Sequence, residues 1–195
     1  WHSKVVRKPP GGDEMLAWHQ DFGSWYKDGC LAPSLVTCVV ALTPATATNG
    51  CLRLMTGSHR LGRLDRLKPG IAAYSSFRLT PARLDAISAR FPVSEMHMAP
   101  GDVFIFHSNT LHSSGPNTAD GPRTLLEITY NAVSNAPVFD GQEVHAPGVL
   151  TKKSDTCILD GDYDTIIERT RLVDINNPDD PGIQIFRRRF DPGLC

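Results

Sequence analysis

Two imidazoles and a carboxylate that can act together only if remote parts of the chain meet place the strongest demand this sequence makes on its fold. His19-Gln20-Asp21 lies near the start, His112 follows far downstream, and Arg123 sits eleven residues beyond it. Side chains two apart on a strand project from the same face, so the spacing predicts that His19 and Asp21 share a strand while Gln20 points away. His112 then completes a facial triad for iron(II). Such a triad leaves coordination positions open, unlike a closed structural zinc site, and open positions on iron point to dioxygen chemistry.

A lone His-x-Asp pair is a weak signal, so its surroundings decide. Ala99-Pro100-Gly101-Asp102 reads as a turn, and Val103-Phe104-Ile105-Phe106-His107 reads as a buried strand that delivers the chain to Leu111-His112-Ser113-Ser114-Gly115-Pro116-Asn117. Arg123 opens the apolar run Thr124 to Tyr130. An arginine at a strand edge, turned into a barrel mouth, offers a planar fork that matches a carboxylate with two parallel hydrogen bonds. A dicarboxylate co-substrate fits that description.

The rest of the chain supplies strands to build such a mouth. Leu35 to Leu42 is rich in Val and Thr and predicts a strand buried on both faces, followed by a turn-rich segment from Thr43 to Gly50. Cys51 to Thr56 is a second strand candidate, after which Gly57-Ser58-His59 turns the chain outward. Between Thr80 and Phe91 the pattern becomes helical: Thr80 can cap, Pro81 suits the first position, and Leu84, Ile87 and Phe91 recur at helical spacing. Val103 to Phe106 and Thr124 to Tyr130 complete a β-rich middle, consistent with a sandwich or barrel. Beyond Asn131, prolines interrupt the chain, with one helix expected near Tyr163 to Arg171.

Three blocks in order resemble the phytanoyl-CoA dioxygenase family of iron(II)- and 2-oxoglutarate-dependent oxygenases. The first runs from His2-Ser3-Lys4 through Lys8-Pro9-Pro10 to Trp18-His19-Gln20-Asp21. Asn49-Gly50-Cys51-Leu52 with Gly57-Ser58-His59-Arg60 forms the second, and Pro100-Gly101-Asp102 through His112 and Ser114 to Arg123 the third. The resemblance implies a mainly β fold, the double-stranded β-helix (a cupin-like jelly roll) with short flanking helices. It implies His19, Asp21 and His112 as catalytic iron ligands, and Arg123, assisted by Ser114, on the distal carboxylate of 2-oxoglutarate. Lys4 and Val40 fall where family members line the co-substrate pocket.

The cofactors so implied are iron(II), 2-oxoglutarate and dioxygen, with ascorbate as a stimulant. The expected reaction is hydroxylation, or another oxidation, of an unactivated C–H bond in a small organic substrate, with release of succinate and carbon dioxide. Related halogenases leave the carboxylate position empty for chloride, so Asp21 argues against halogenation. Family members usually carry a long segment before the metal strand. The chain is therefore expected to be one dioxygenase domain over 1–195 that lacks its N-terminal part.

Composition narrows the partners. Formal charges balance to -1, which gives no electrostatic reason to expect nucleic acid, and no apolar stretch is long enough to span a membrane. A lipid, amino-acid derivative or secondary metabolite remains as the substrate class. Five cysteines without paired spacing argue for a reducing, intracellular and most simply cytoplasmic setting. Two other readings stand beside the enzyme: a non-catalytic cupin-like module that binds metal or 2-oxoglutarate, and a zinc hydrolase, which the absence of a His-Glu-x-x-His helix disfavours. His107 and His59 read as turn residues, while Trp18, Trp25 and Tyr26 line either the pocket or the core. Arg187-Arg188-Arg189 reads as a solvated face or a binder of substrate phosphate or carboxylate.

Overall fold

A computed structural model describes residues 1–64 and 79–138, which fall within one unit, Trp1–Ala146. Among the described residues, eight strands form two antiparallel four-stranded sheets. In the first, β1 (His2–Lys8), β8 (Arg123–Asn131), β3 (Leu35–Ala41) and β6 (Val103–His107) lie side by side in that order. The second has the order β2 (Leu16–His19), β7 (His112–Ser114), β4 (Leu52–Met55) and β5 (Val93–Glu95). Neighbours in each sheet are distant in sequence, which is what the convergence of His19 with His112 requires.

Alternation along the strands places the core between the sheets. Val39 and Ala41 of β3, Phe106 of β6 and Leu125 of β8 pack with Leu52 and Leu54 of β4, together with Ala45, Cys51 and Met98. Each fully buried aliphatic side chain of this kind stabilises the fold by about 1.5–3 kcal/mol. One expectation is corrected here: β3 is buried on one face only. Leu35, Thr37, Val39 and Ala41 face inward, whereas Val36 is 36% exposed and its sheet neighbours Ile105 and Tyr130 are 64% and 48% exposed. Antiparallel sheets tolerate one solvated face, and the outward β-branched residues serve strand propensity rather than burial.

Two short helices flank the sheets. α1 (Phe22–Trp25) follows β2 directly, and α2 (Pro81–Ser88) begins where the sequence predicts, with Thr80 accepting a hydrogen bond from the Arg83 N–H at 3.3 Å and Pro81 in the first turn. α2 stops before Phe91, and Pro92 bars any continuation. Ile87 of α2 packs on Met55 and Leu111, with Trp18, Leu84 and Phe91 against them.

Two motifs of the second block fix loops around β7. Gly50 has φ +75°, and a Cβ there would lie 2.5 Å from the Gly115 carbonyl oxygen, so only glycine admits this approach to the loop after β7. Ser58, fully buried in a 3-10 turn (Ser58–Arg60), accepts a hydrogen bond from the Leu111 N–H at 2.9 Å. Leu111 is the residue immediately before His112. No described helix is long and apolar enough to cross a membrane. The helix expected near Tyr163 to Arg171 and the Arg187–Arg189 run lie outside the described residues.

Candidate metal centre

His19 ends β2 and His112 begins β7, and the two are direct partners in the antiparallel register. Their rings therefore meet, with centroids 4.2 Å apart. Each ring is held in the same way. Nδ1 of His19 donates to the Ala17 carbonyl at 2.8 Å, and Nδ1 of His112 donates to the Thr110 carbonyl at 3.0 Å. A carbonyl can only accept, so each Nδ1 carries a proton and Nε2 is the nitrogen turned toward Asp21. Phe106 packs on the His112 ring at 4.8 Å between centroids and fixes it further.

Asp21 reaches the same point by a route the strand argument did not foresee. β2 ends at His19, and Asp21 has helical backbone angles (φ -67°, ψ -39°) at the N-cap of α1. The expectation that His19 and Asp21 share a strand face is thus corrected: the chain turns into a helix between them. The Asp21 side chain makes no cap hydrogen bond, so its carboxylate is turned to the imidazoles instead. Asp21 Oδ1 lies 3.5 Å from His19 Nε2 and 3.7 Å from His112 Nε2, and all three donor atoms fall within 4.8 Å of one another.

The electrostatics suit cation binding. Burial, with His19 nearby, pushes the His112 imidazole down to about 4 against the opposing pull of Asp21, so the ring is neutral at pH 7. Burial alone would raise the Asp21 carboxyl, but His112 and the hydrogen bond and charge of His19 outweigh it and hold it well below the usual carboxylate range. Two imidazole nitrogens and a carboxylate oxygen are the donor set that iron(II) takes in a facial triad.

Gln20 does not simply point away. It is 4% exposed, and its amide nitrogen donates to the carbonyls of Asn109 at 2.8 Å and Gly62 at 3.2 Å while its oxygen accepts from the Leu64 N–H at 2.9 Å. One side chain thus ties the metal turn to the segments before His112 and after the 3-10 turn. Gln20→Ala is expected to cost about 1–3 kcal/mol of stability, because it strands buried backbone groups. A thermal or denaturant melt reads this, and a loss within error would refute the role.

The first sheet supplies a cationic wall. Arg123 is 1% exposed, and its Nε and Nη1 are buried with no hydrogen-bond partner among the described residues. Lys8, 7% exposed, is its register partner on β1, and donates to the carbonyls of Gly115 and of Glu14, the latter at 3.0 Å. Two buried cations side by side, one with unsatisfied donors, are an arrangement that suits an anion. Ser114, also buried, lies two residues beyond His112 on the same face of β7. Lys4 pairs with Glu127 across β1 and β8 at 3.1 Å, with its own side chain 54% exposed.

Val40 is not brought to this group. It lies on the outward face of β3, opposite the buried Val39, beside Leu126 and Val103. Trp25 belongs to a core cluster with Phe22, Cys30 and Leu35, Trp18 packs in the cluster beside α2 under Arg53, and Tyr26 is 37% exposed. His107 accepts from the Asn109 N–H at 3.0 Å and has no part in the triad. The sequence reading missed Lys8, Gln20 and Glu127. The Lys8-Pro9-Pro10 block was visible, but only the β1–β8 register places Lys8 beside Arg123.

Comparison with known proteins gives this arrangement a context. A family model described as phytanoyl-CoA dioxygenase matches residues 1–125. The L-proline trans-4-hydroxylase of Streptomyces griseoviridis is 29% identical over 175 residues, 84% of this chain and 64% of that protein. The ectoine dioxygenase of Bordetella bronchiseptica is 28% identical over 177 residues, 86% of this chain and 58% of that one. A crystal structure of EctD from S. alaskensis with 2-oxoglutarate and 5-hydroxyectoine is similar with a TM-score of 0.60 at 28% identity, covering 69% of this chain and 44% of that one. The chain therefore spans less than two thirds of the length of each of these relatives.

Proposed function

Because the chain belongs to the phytanoyl-CoA dioxygenase family, which makes it a cupin-like jelly roll, we propose that it is an iron(II)- and 2-oxoglutarate-dependent dioxygenase that hydroxylates a small, charged organic molecule. The observation that carries this reading is the meeting of three ready donors, each imidazole tied back by a carbonyl, within 4.8 Å of one another. His19, Asp21 and His112 would hold the iron. Bound there, iron(II) and 2-oxoglutarate would supply the oxidising power that divides dioxygen between succinate and substrate, with loss of carbon dioxide.

The chain's own residues bind and orient. Arg123, buried with unpartnered guanidinium donors, takes the distal carboxylate of 2-oxoglutarate, and Lys8 adds a second positive charge beside it. Ser114 stands on the face that His112 shares. Lys4 and Glu127 put one charge of each sign on the inner wall, which supports a zwitterionic, amino-acid-derived substrate over a lipid. The relatives named for proline and ectoine are consistent with that choice. Protein supplied with iron(II), ascorbate, 2-oxoglutarate and air should release succinate, faster with cyclic amino-acid derivatives than with acyl thioesters. No succinate with any of them sinks the enzymatic reading and leaves a binding module.

Lys8 makes the co-substrate site sensitive to alkali. Burial first, then Arg123, push its ammonium from 10.5 down to about 8, against Glu14. Above that pH the folded protein loses the charge, so KM for 2-oxoglutarate should rise as pH climbs through the range. Lys8→Met should start with a raised KM and show no such break. The unfolded chain keeps the proton up to its ordinary value, so in that same window Lys8 makes wild-type stability increase with pH. Parallel pH profiles of wild type and variant that both break near 8 would contradict the assignment.

A further inference from the structure

A second set of metal-binding donors lies on the other sheet. β4 and β5 pair with Arg53 opposite Glu95, and the Met96 N–H bonds the Leu52 carbonyl at 2.8 Å, which continues the register and sets Cys51 against His97. A ligand atom of Cys51, one of Glu95 and one of His97 all lie within 4.8 Å of one another. His97 Nε2 is 3.0 Å from Glu95 Oε2. From this geometry we infer that Cys51, Glu95 and His97 form a second cation site, for a borderline-soft divalent ion of the zinc, cobalt or nickel class, separate from the His19–Asp21–His112 triad.

The donors select the ion. A thiolate, an imidazole and a carboxylate suit zinc and its neighbours, while calcium and magnesium take oxygen donors. Ligand atoms around a tetrahedral zinc stand about 3.3–3.8 Å apart, given bonds of about 2.0–2.3 Å, so only a small closure is needed. Glu95 and His97 are exposed, with side-chain exposures of 45% and 58%, and are free to make it, whereas Cys51 is 2% exposed and fixed. A groove of about 250 Å³ opens beside the exposed Glu95 and His97, although Cys51 does not line it.

Burial first, then the Glu95 carboxylate, push the Cys51 thiol up, and Arg123, Arg53 and a backbone hydrogen bond from Met96 offset this only in part. An ion between sulfur and carboxylate removes both objections. On binding, the S–H bond breaks, an S–metal bond forms and the proton leaves to solvent, with no change of oxidation state.

The test uses the whole metal-free chain titrated with cobalt(II) alone, anaerobically. Only a sulfur ligand gives a thiolate-to-cobalt charge-transfer band in the near ultraviolet, so the triad is silent in this readout. The wild type should bind two equivalents and develop the band, and H112A should lose one equivalent but keep the band. C51S should lose one equivalent and the band, while H97A, altered only at an exposed side chain, should weaken the band-forming step at least about tenfold. A band that persists in C51S, or cobalt stoichiometry and affinity unchanged in both C51S and H97A, overturns the proposal. Neither result bears on the triad.

Discussion

His112→Ala is expected to reduce 2-oxoglutarate turnover at least about a thousandfold, the equivalent of about 4 kcal/mol of lost transition-state stabilisation. In the proposed site the ring supplies one of two nitrogens, and its Nδ1–H bond to the Thr110 carbonyl aims Nε2. Iron affinity should fall with activity, because two donors hold an open-sided ion far less well than three. His107→Ala is the control: it lies at the end of β6, bonds the local turn at Asn109 and has its ring near His59, so turnover should change within a few-fold. Bound iron measured after desalting, together with succinate release, reads both. Equal losses in the two variants would mean that the site is elsewhere.

Arg123→Leu should raise KM for 2-oxoglutarate by tens to hundreds of fold, since hydrogen bonds to charged groups contribute roughly 1.5–3 kcal/mol each. Iron binding should survive, which separates this variant from His112→Ala. Its effect on stability runs the other way. The guanidinium is buried with Nε and Nη1 unpartnered, so in the absence of an anion its removal relieves a desolvation cost and the apoprotein should melt no lower than wild type. Added 2-oxoglutarate should then raise the melting temperature of wild type and, at the same concentration, shift the variant far less. Arg123→Lys should fall between, because it keeps the charge and loses the planar fork. A variant that melts far lower while keeping a normal KM would make Arg123 a structural residue.

Much of this was legible from spacing alone. The strands around Val39, Leu54, Phe106 and Leu125 follow from β-branched and aromatic runs, and α2 from Thr80-Pro81. The donors His19, Asp21 and His112 were legible as a set, although the backbone that joins them was not. A turn into α1 looks like an extended dipeptide when only residue types are read, and both geometries bring the carboxylate to the imidazoles. Val40 and Val39 are indistinguishable in a run of valines, and only the pairing of β3 with β6 and β8 decides which faces the core. Lys8 and Gln20 act through partners remote in sequence, Arg123 and Asn109, so no local pattern reveals them. The Cys51–Glu95–His97 group hides for the same reason, being assembled by the β4–β5 register.

The measurement closest to the central claim is the visible spectrum of the protein loaded anaerobically with iron(II) and then given 2-oxoglutarate. If His19, Asp21 and His112 hold one iron with adjacent free positions, chelation by the keto acid must produce a weak charge-transfer absorption. That absorption should be absent in His112→Ala and need far more 2-oxoglutarate in Arg123→Leu. Iron bound tightly with no absorption at saturating 2-oxoglutarate, or an absorption indifferent to His112→Ala, would contradict the account.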